Sequence, residues 1–232
     1  MRGVWAIVPA RLASTRLPNK VLADLHGRPL VWHVWDRAAR SGAFDRVLVA
    51  TDHPSVEAAL GPLGVDVVLT DPAPNGTARV ASVAPRDVAV VNVQGDQPHV
   101  DPQHLALLAA SLAPREVRTL AAPLALADLH DPARVKVSAD LADFSRRPFP
   151  GAPPRVHVGI YGFGPGLVHR CAASPSSDRS RREDLEQLTW IDAGIPVRAI
   201  VVDRAATSVD TASDLDRARR GDPGGASGEG TG

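Results

Sequence analysis

The chain has 232 residues, and Lys plus Arg balance Asp plus Glu at 26 each, so no net field favours nucleic acid or an anionic membrane surface. A single cysteine, Cys171, excludes an internal disulfide and a cysteine-rich zinc site; 44% hydrophobic and 22% charged residues exclude whole-chain disorder. The first apolar run, 4–8, stops at Pro9 and Arg11, too short and wrongly flanked for an export signal, so a cytoplasmic protein is expected.

Residues 5–8 read as the first strand. The run is continuously apolar rather than alternating, as in a parallel sheet covered on both faces. A polar loop follows at 9–20. Residues 30–40 (LVWHVWDRAAR) carry apolar side chains at helical spacing and end at Ser41-Gly42, a helix stop. Residues 46–50 are a second strand, and Asp52-His53-Pro54 opens a second helix. Strands follow at 65–69 and 88–93. Strand, loop and helix in repetition predict right-handed crossovers and an α/β fold, an open, mostly parallel nucleotide-binding type of sheet with helices on both faces. Further along, 117–125, 135–138, 156–163 and 197–202 read as strands, and 184–193 and 212–220 as helices. A smaller inserted β-containing lobe is expected at about 117–165, within one domain spanning 1–220. The glycine-rich stretch 221–232 cannot bury enough apolar surface to offset its ordering entropy and is expected to be a disordered tail.

Three segments carry candidate chemistry. Ligands of open α/β sheets bind beyond the carboxyl ends of strands, where the 9–20 loop lies. That loop holds Arg11, Arg16 and Lys20, with Ser14 and Thr15 between them. Arg grips phosphate oxygens in pairs and Lys acts as a compact charge, so the set fits a triphosphate; a solvated basic loop would have the same composition. GxxxxGK[ST] is absent, so this is no Walker A loop. Asp96, just after the apolar run 88–93, either holds Mg²⁺ on phosphates or makes an ordinary Gly-Asp turn. Asp210 is either a second ligand or, with Thr211, part of a helix cap. The histidines lack paired zinc-ligand spacing, the glycines at 162–166 lack GxGxxG, and Arg179, Arg181 and Arg182 read as a solvated helix start.

A set of short motifs occurs in one order: PAR–STRLP–K, ATDH (50–53), NGTAR (75–79), NVQGDQP, VKV (135–137), FSR (144–146), HVGIYGF (157–163), LEQL (185–188) and VDT (209–211). Carrying them, residues 4–219 resemble the 3-deoxy-manno-octulosonate (KDO) cytidylyltransferases. The first loop is shared with other nucleotidyltransferases that activate sugars; HVGIYGF and LEQL point to the KDO enzymes. The resemblance implies transfer of CMP from CTP to the anomeric hydroxyl of KDO, with release of pyrophosphate, for lipopolysaccharide-type glycan synthesis. It places Arg11, Ser14, Arg16 and Lys20 on the triphosphate, and Gly76, Thr77, Arg79 and Gln94 at the cytidine. Asp96 and Asp210 would bind Mg²⁺, and Arg11, Lys20, Asp96 and Asp210 would carry the catalysis. Arg146, His157, Tyr161, Glu186 and Gln187 would line the sugar site, while no general base is assigned. The implied partners are small molecules only, with no nucleic acid and no membrane, in a homodimer. The chain departs from the pattern at Asn19, where the family has Gly, and at Ala78 and Gln97, where it has Glu; the stretch after FSR is also shorter. These departures leave open another acidic sugar, an amino-KDO or a sialic-type acid, or a non-catalytic nucleotide-binding homologue.

Overall fold

The computed structural model describes residues 3–14 and 16–221. Its first strand, β1 (Val4–Ala10), runs parallel to β4 (Arg46–Thr51) and β6 (Ala89–Asn92), and β4 to β5 (Asp66–Leu69). Between β1 and β4 stand a two-strand hairpin, β2 (Asp24–Leu25) with β3 (Arg28–Pro29), and helix α1 (Leu30–Arg40). Helix α2 (Pro54–Leu60) links β4 to β5, and α3 (Gly76–Val83) links β5 to β6. Helix α4 (Pro102–Ala110) then leads to β7 (Val117–Pro123). Two short strands, β8 (Lys136–Val137) and β9 (Phe144–Ser145), precede the long β10 (Arg155–Phe163). Helices α5 (Leu167–Ala172), α6 (Asp178–Glu183) and α7 (Glu186–Asp192), strand β11 (Val197–Val201) and helix α8 (Ala212–Arg219) complete the described chain.

The strand order is β11-β7-β10-β6-β1-β4-β5, and β10 alone on this path runs antiparallel to its neighbours. Residues 117–165, expected to form a smaller lobe, contribute β7 and β10 to this main sheet; β8 and β9 branch from β10. Burial on both faces explains the continuous apolar runs. On one face Val31, Val34, Val56, Leu60, Leu105 and Leu108 bring α1, α2 and α4 onto β1, β4 and β6. Val80, Val168, Leu188 and Trp190 belong to the cluster that covers the opposite face, with α3 on β1, β4 and β6 and Trp190 of α7 against Tyr161 and Phe163 of β10. Each fully buried Val or Leu contributes roughly 1.5–3 kcal/mol of transfer free energy, before the entropy of ordering it. A third cluster, with Leu25, Leu30, Val209 and Leu215, docks α8 on the hairpin and α1, drawing the chain's end toward the loop after β1.

Four helices, α3 to α6, the β2–β3 hairpin and the two-residue β9 lie outside the sequence-predicted elements. Helices α5 and α6 have six residues each, too few for a period to show. Helix α3 is signalled only by its cap, Asn75, whose side chain accepts from the Ala78 amide at 2.8 Å. Among the described residues no helix is long and apolar enough to cross a membrane. The tail expected from 221 lies outside the described residues except for Gly221.

Candidate active site

The carboxyl ends of β1 and β6 open onto a cavity of about 430 Å³. The 9–20 loop supplies Pro9, Arg11, Ser14, Arg16 and Lys20; the turn after β6 supplies Gln94, Gly95 and Asp96; the start of α3 supplies Asn75 and Gly76; Asp210 comes from the segment before α8. Gly95 makes the convergence feasible, because a Cβ there would lie 2.8 Å from the Pro9 carbonyl oxygen. Asn19 takes a left-handed backbone, φ 55°, and turns the loop into a single helical turn at Lys20–Leu22. Asn adopts that conformation more readily than most residues, so it can replace the family's glycine.

Lys20 sits at the centre. Its Nζ donates to Asp96 Oδ2 at 2.8 Å and to Asp210 Oδ1 at 3.0 Å, and its side chain is 12% exposed. Burial opposes the ammonium charge, but Asp96 and Asp210 together outweigh that and raise its pKa. Burial likewise disfavours the Asp210 carboxylate, yet hydrogen bonds from Lys20 and Ser208 and the charges of Lys20 and Arg16 hold its pKa below the ordinary value. Arg16 reaches Asp210 at 3.0 Å from an exposed position. Asp210 is also held from behind: its amide donates to Asp214 Oδ2, and Asp214 and Thr211 form the capping box of α8. The Val209 amide donates to the Asp96 carbonyl at 2.8 Å, tying the two acid-bearing segments together. The cap and ligand readings of Asp210 are therefore compatible, since Thr211 and Asp214 make the cap and leave Asp210 facing Lys20. Arg11 is exposed and has no ion-pair partner among the described residues.

Asp96 and Asp210 both lie within hydrogen-bond distance of one cationic nitrogen. Among the described residues no group of three or more His, Cys, Asp or Glu side chains forms a metal cage. Two carboxylates beside a phosphate-sized cavity suit Mg²⁺, which usually keeps water and phosphate oxygens and takes only one or two protein carboxylates.

A second polar group lies across Asn75. A cavity of about 310 Å³ lined by Asn75 and Glu186 adjoins the first. Thr77 donates to Glu186 Oε2 at 2.8 Å, linking α3 to α7; burial raises the pKa of Glu186, and the Thr77 hydroxyl partly offsets this. Tyr161 donates to Gln187 Oε1 at 3.0 Å, and burial, with the charge of Glu186, pushes its pKa well up. The ring of His157 packs between Phe144 and Tyr161, at 4.9 and 5.4 Å between centroids, and its desolvation pushes the pKa down to about 3. Thr119 Oγ1 donates to the Ile160 carbonyl at 2.7 Å, so it accepts from His157 Nε2 at 2.9 Å, which places the imidazole proton on Nε2. His157 and Tyr161 share a face of β10 by the strand's alternation, which runs through the register shift against β7 between Val158 and Tyr161. Cys171 lines the second cavity, but burial raises its thiol pKa to about 12, so it offers no thiolate at neutral pH.

A cytidylyltransferase family model matches residues 5–194. The 3-deoxy-manno-octulosonate cytidylyltransferase of Nitratidesulfovibrio vulgaris (strain DP4) is 39% identical, over 93% of this chain and 94% of its own. That of Anaeromyxobacter sp. (strain Fw109-5) is 40% identical, over 94% and 96%. The chain belongs to the 3-deoxy-manno-octulosonate cytidylyltransferase family. A solved structure of CMP:2-keto-3-deoxy-manno-octonic acid synthetase complexed with CTP matches with a TM-score of 0.86 at 32% identity, covering 94% of this chain and 97% of that one.

In this member of the KDO cytidylyltransferase family the expected site residues divide by where the fold puts them. Arg11, Ser14, Arg16, Lys20, Gly76, Arg79, Gln94, Asp96 and Asp210 line one cavity. The Arg79 guanidinium also donates to Asp52 and Thr70 at 2.6 Å each, which braces α3 from the cavity wall. Thr77 is fully buried and spends its hydroxyl on Glu186. Arg146 stands apart from both cavities; its guanidinium donates to the carbonyls of Pro132, Glu183 and Asp184 and holds the turn before α7. At the two positions of the replaced glutamates, Ala78 is half-buried on α3, and Gln97 is buried with Oε1 unpartnered and does not line the nucleotide cavity. The sequence assigns no site role to Asn75, Asp52, Thr119 or Asp214. Asn75 and Asp52 stand within quoted motifs, but nothing in the sequence shows that Thr119 orients His157 or that Asp214 holds Asp210.

Proposed function

We propose that this protein transfers CMP from CTP to the anomeric hydroxyl of KDO, giving CMP-KDO and pyrophosphate, and that this serves lipopolysaccharide-type glycan synthesis. The observation that carries the reading is Asp96 and Asp210, over a hundred positions apart, meeting on Lys20 beside Arg11, Ser14 and Arg16. Arg11, Arg16 and Lys20 bind the triphosphate and stabilise the charge that builds on the leaving pyrophosphate. Lys20 exchanges its carboxylate partners for phosphate oxygens of the incoming nucleotide. Asp96 and Asp210 would then hold a divalent cation, Mg²⁺ in this proposal, and that ion supplies charge neutralisation at the α-phosphate. The start of α3 and Gln94 position the cytidine, while Arg79 keeps α3 in place. His157, Tyr161, Glu186 and Gln187 hold the acceptor so that its hydroxyl lies in line with the departing oxygen. Arg146 positions the 183–184 turn that leads into Glu186. We propose that residues 1–220 work as a single domain, a reading supported by β7 and β10 joining the main sheet, and that the protein is a cytoplasmic homodimer, testable by light scattering.

The test is pyrophosphate release from CTP, Mg²⁺ and KDO together, with amino-KDO and sialic-type acids assayed beside KDO. Release only with KDO supports the reading. Release with another acid reassigns the acceptor, and CTP binding without release from any acid leaves a nucleotide-binding homologue.

A further inference from the structure

Asn92 ends β6 directly opposite Tyr161 in the antiparallel register with β10. Side chains opposite each other in such a pair share a face and touch. Val90, two residues earlier, and Tyr161 both pack in the core beneath α3 and α7, so Asn92 also faces that side. Asn92 is 0% exposed, yet neither its Oδ1 nor its Nδ2 has a hydrogen-bond partner. Gln187 is 2% exposed; its Oε1 takes the Tyr161 hydroxyl, but its Nε2 is also buried without a partner. Three buried amide atoms without a protein partner thus lie beside one tyrosine, the only one in the chain.

Buried amides left unpaired weaken a fold, whereas an apolar side chain of the same shape would not. This polar layer therefore needs a partner from outside the chain. An amide oxygen requires a donor and an amide nitrogen an acceptor; a carboxylate or phosphate satisfies only the second. A sugar hydroxyl does both. Gln94, two residues beyond Asn92, lines the nucleotide cavity, so the layer begins where the nucleotide site ends.

We propose that Asn92 is a specificity-determining residue of the acceptor site, taking a neutral hydroxyl of the polyhydroxylated acid through its carboxamide while Gln187 Nε2 takes a neighbouring one. The inference rests on the acceptor reading of His157, Tyr161, Glu186 and Gln187. Because Asn92 is sealed in this structure, the acceptor must part the layer at Tyr161 and α7 to reach it, which makes entry selective for a ligand able to satisfy both ends of an amide.

The test is Asn92→Leu, close in size and apolar, assayed with KDO or with whichever acid the acceptor panel identifies. The expected result is a melting temperature at or above the wild-type value, unchanged CTP affinity by calorimetry, and a kcat/KM for the acceptor lower by about 10–100-fold, the effect of one lost hydrogen bond to a buried partner. An unchanged kcat/KM for the acceptor overturns the proposal, and so does a lower melting temperature with acceptor use intact, which would assign the layer to a structural water. If Asn92→Leu does not fold, Asn92→Ser decides in the same way, since its hydroxyl is too short to span the gap. Wild-type turnover of KDO with an unaffected variant rejects this inference alone; a wild type that turns over no polyhydroxylated acid rejects the acceptor reading and this inference with it.

Discussion

Asp96 and Asp210 carry the sharpest expectation. Asp96→Asn removes a charge with almost no change of shape, and Asp96 lies on a cavity wall rather than in the core. Turnover should fall by at least about 100-fold in a pyrophosphate-release assay, the scale of losing one electrostatic contact to the transition state, while the circular dichroism spectrum stays that of the wild type. Wild-type turnover in this variant would remove Asp96 from the reaction. His157 gives a second test, read as stability. Its folded pKa of about 3 lies below the ordinary 6.5, so the unfolded chain takes up the proton first as the medium is acidified. Stability is then lost as pH falls from about 6.5 toward 3, at up to about 1.4 kcal/mol per pH unit. Glu186 works in the opposite direction, because its raised pKa favours the fold as pH falls toward 4.5. The difference between wild type and His157→Gln in urea titrations at pH 7 and pH 5 isolates the histidine; equal losses in both proteins would show that it titrates normally.

Among the elements, α8 matters beyond its size. Its capping box holds Thr211 and Asp214, and Asp214 also takes the Asp210 amide. Asp214→Ala should cost about 1 kcal/mol, a melting-temperature fall of about 2–4 °C for a chain of this length. It should also weaken nucleotide use, because Asp210 loses its rear support; a pure stability loss with normal CTP kinetics would make the cap a structural feature only. The elements read from sequence were those with a marked period or a continuous apolar run: β1, β4, β5, β6, β7, β8, β10, β11, α1, α2, α7 and α8. The short helices α5 and α6 escaped because one and a half turns carry too little pattern, and α4 because PQHLALLAA is apolar around most of its circumference.

Across the molecule, binding and stability are linked through the cavity between β1, β6 and the segment before α8. In the proposed function CTP with Mg²⁺ would touch all three, so it should stabilise the fold by about 2.7 kcal/mol at a hundred times its Kd, a rise of several degrees in a thermal-shift assay. Mg²⁺ alone should shift the transition little, because Lys20 and Arg16 already pair with the two carboxylates. A large shift with Mg²⁺ alone would mean a preformed metal cage. The order of the motifs along the chain already contained the family, the parallel sheet and the cationic loop, because each depends on residue types at short separations. Folding decided which of those residues act together. Sequence spacing cannot show that Asp96 and Asp210 share one ammonium, that Arg79 pairs with Asp52, that Arg146 clamps a turn, or that Asn92 lies unpaired beneath Tyr161. Those facts arise from packing between strands and helices far apart in the chain, where burial and charge are set by neighbours and not by the residue itself.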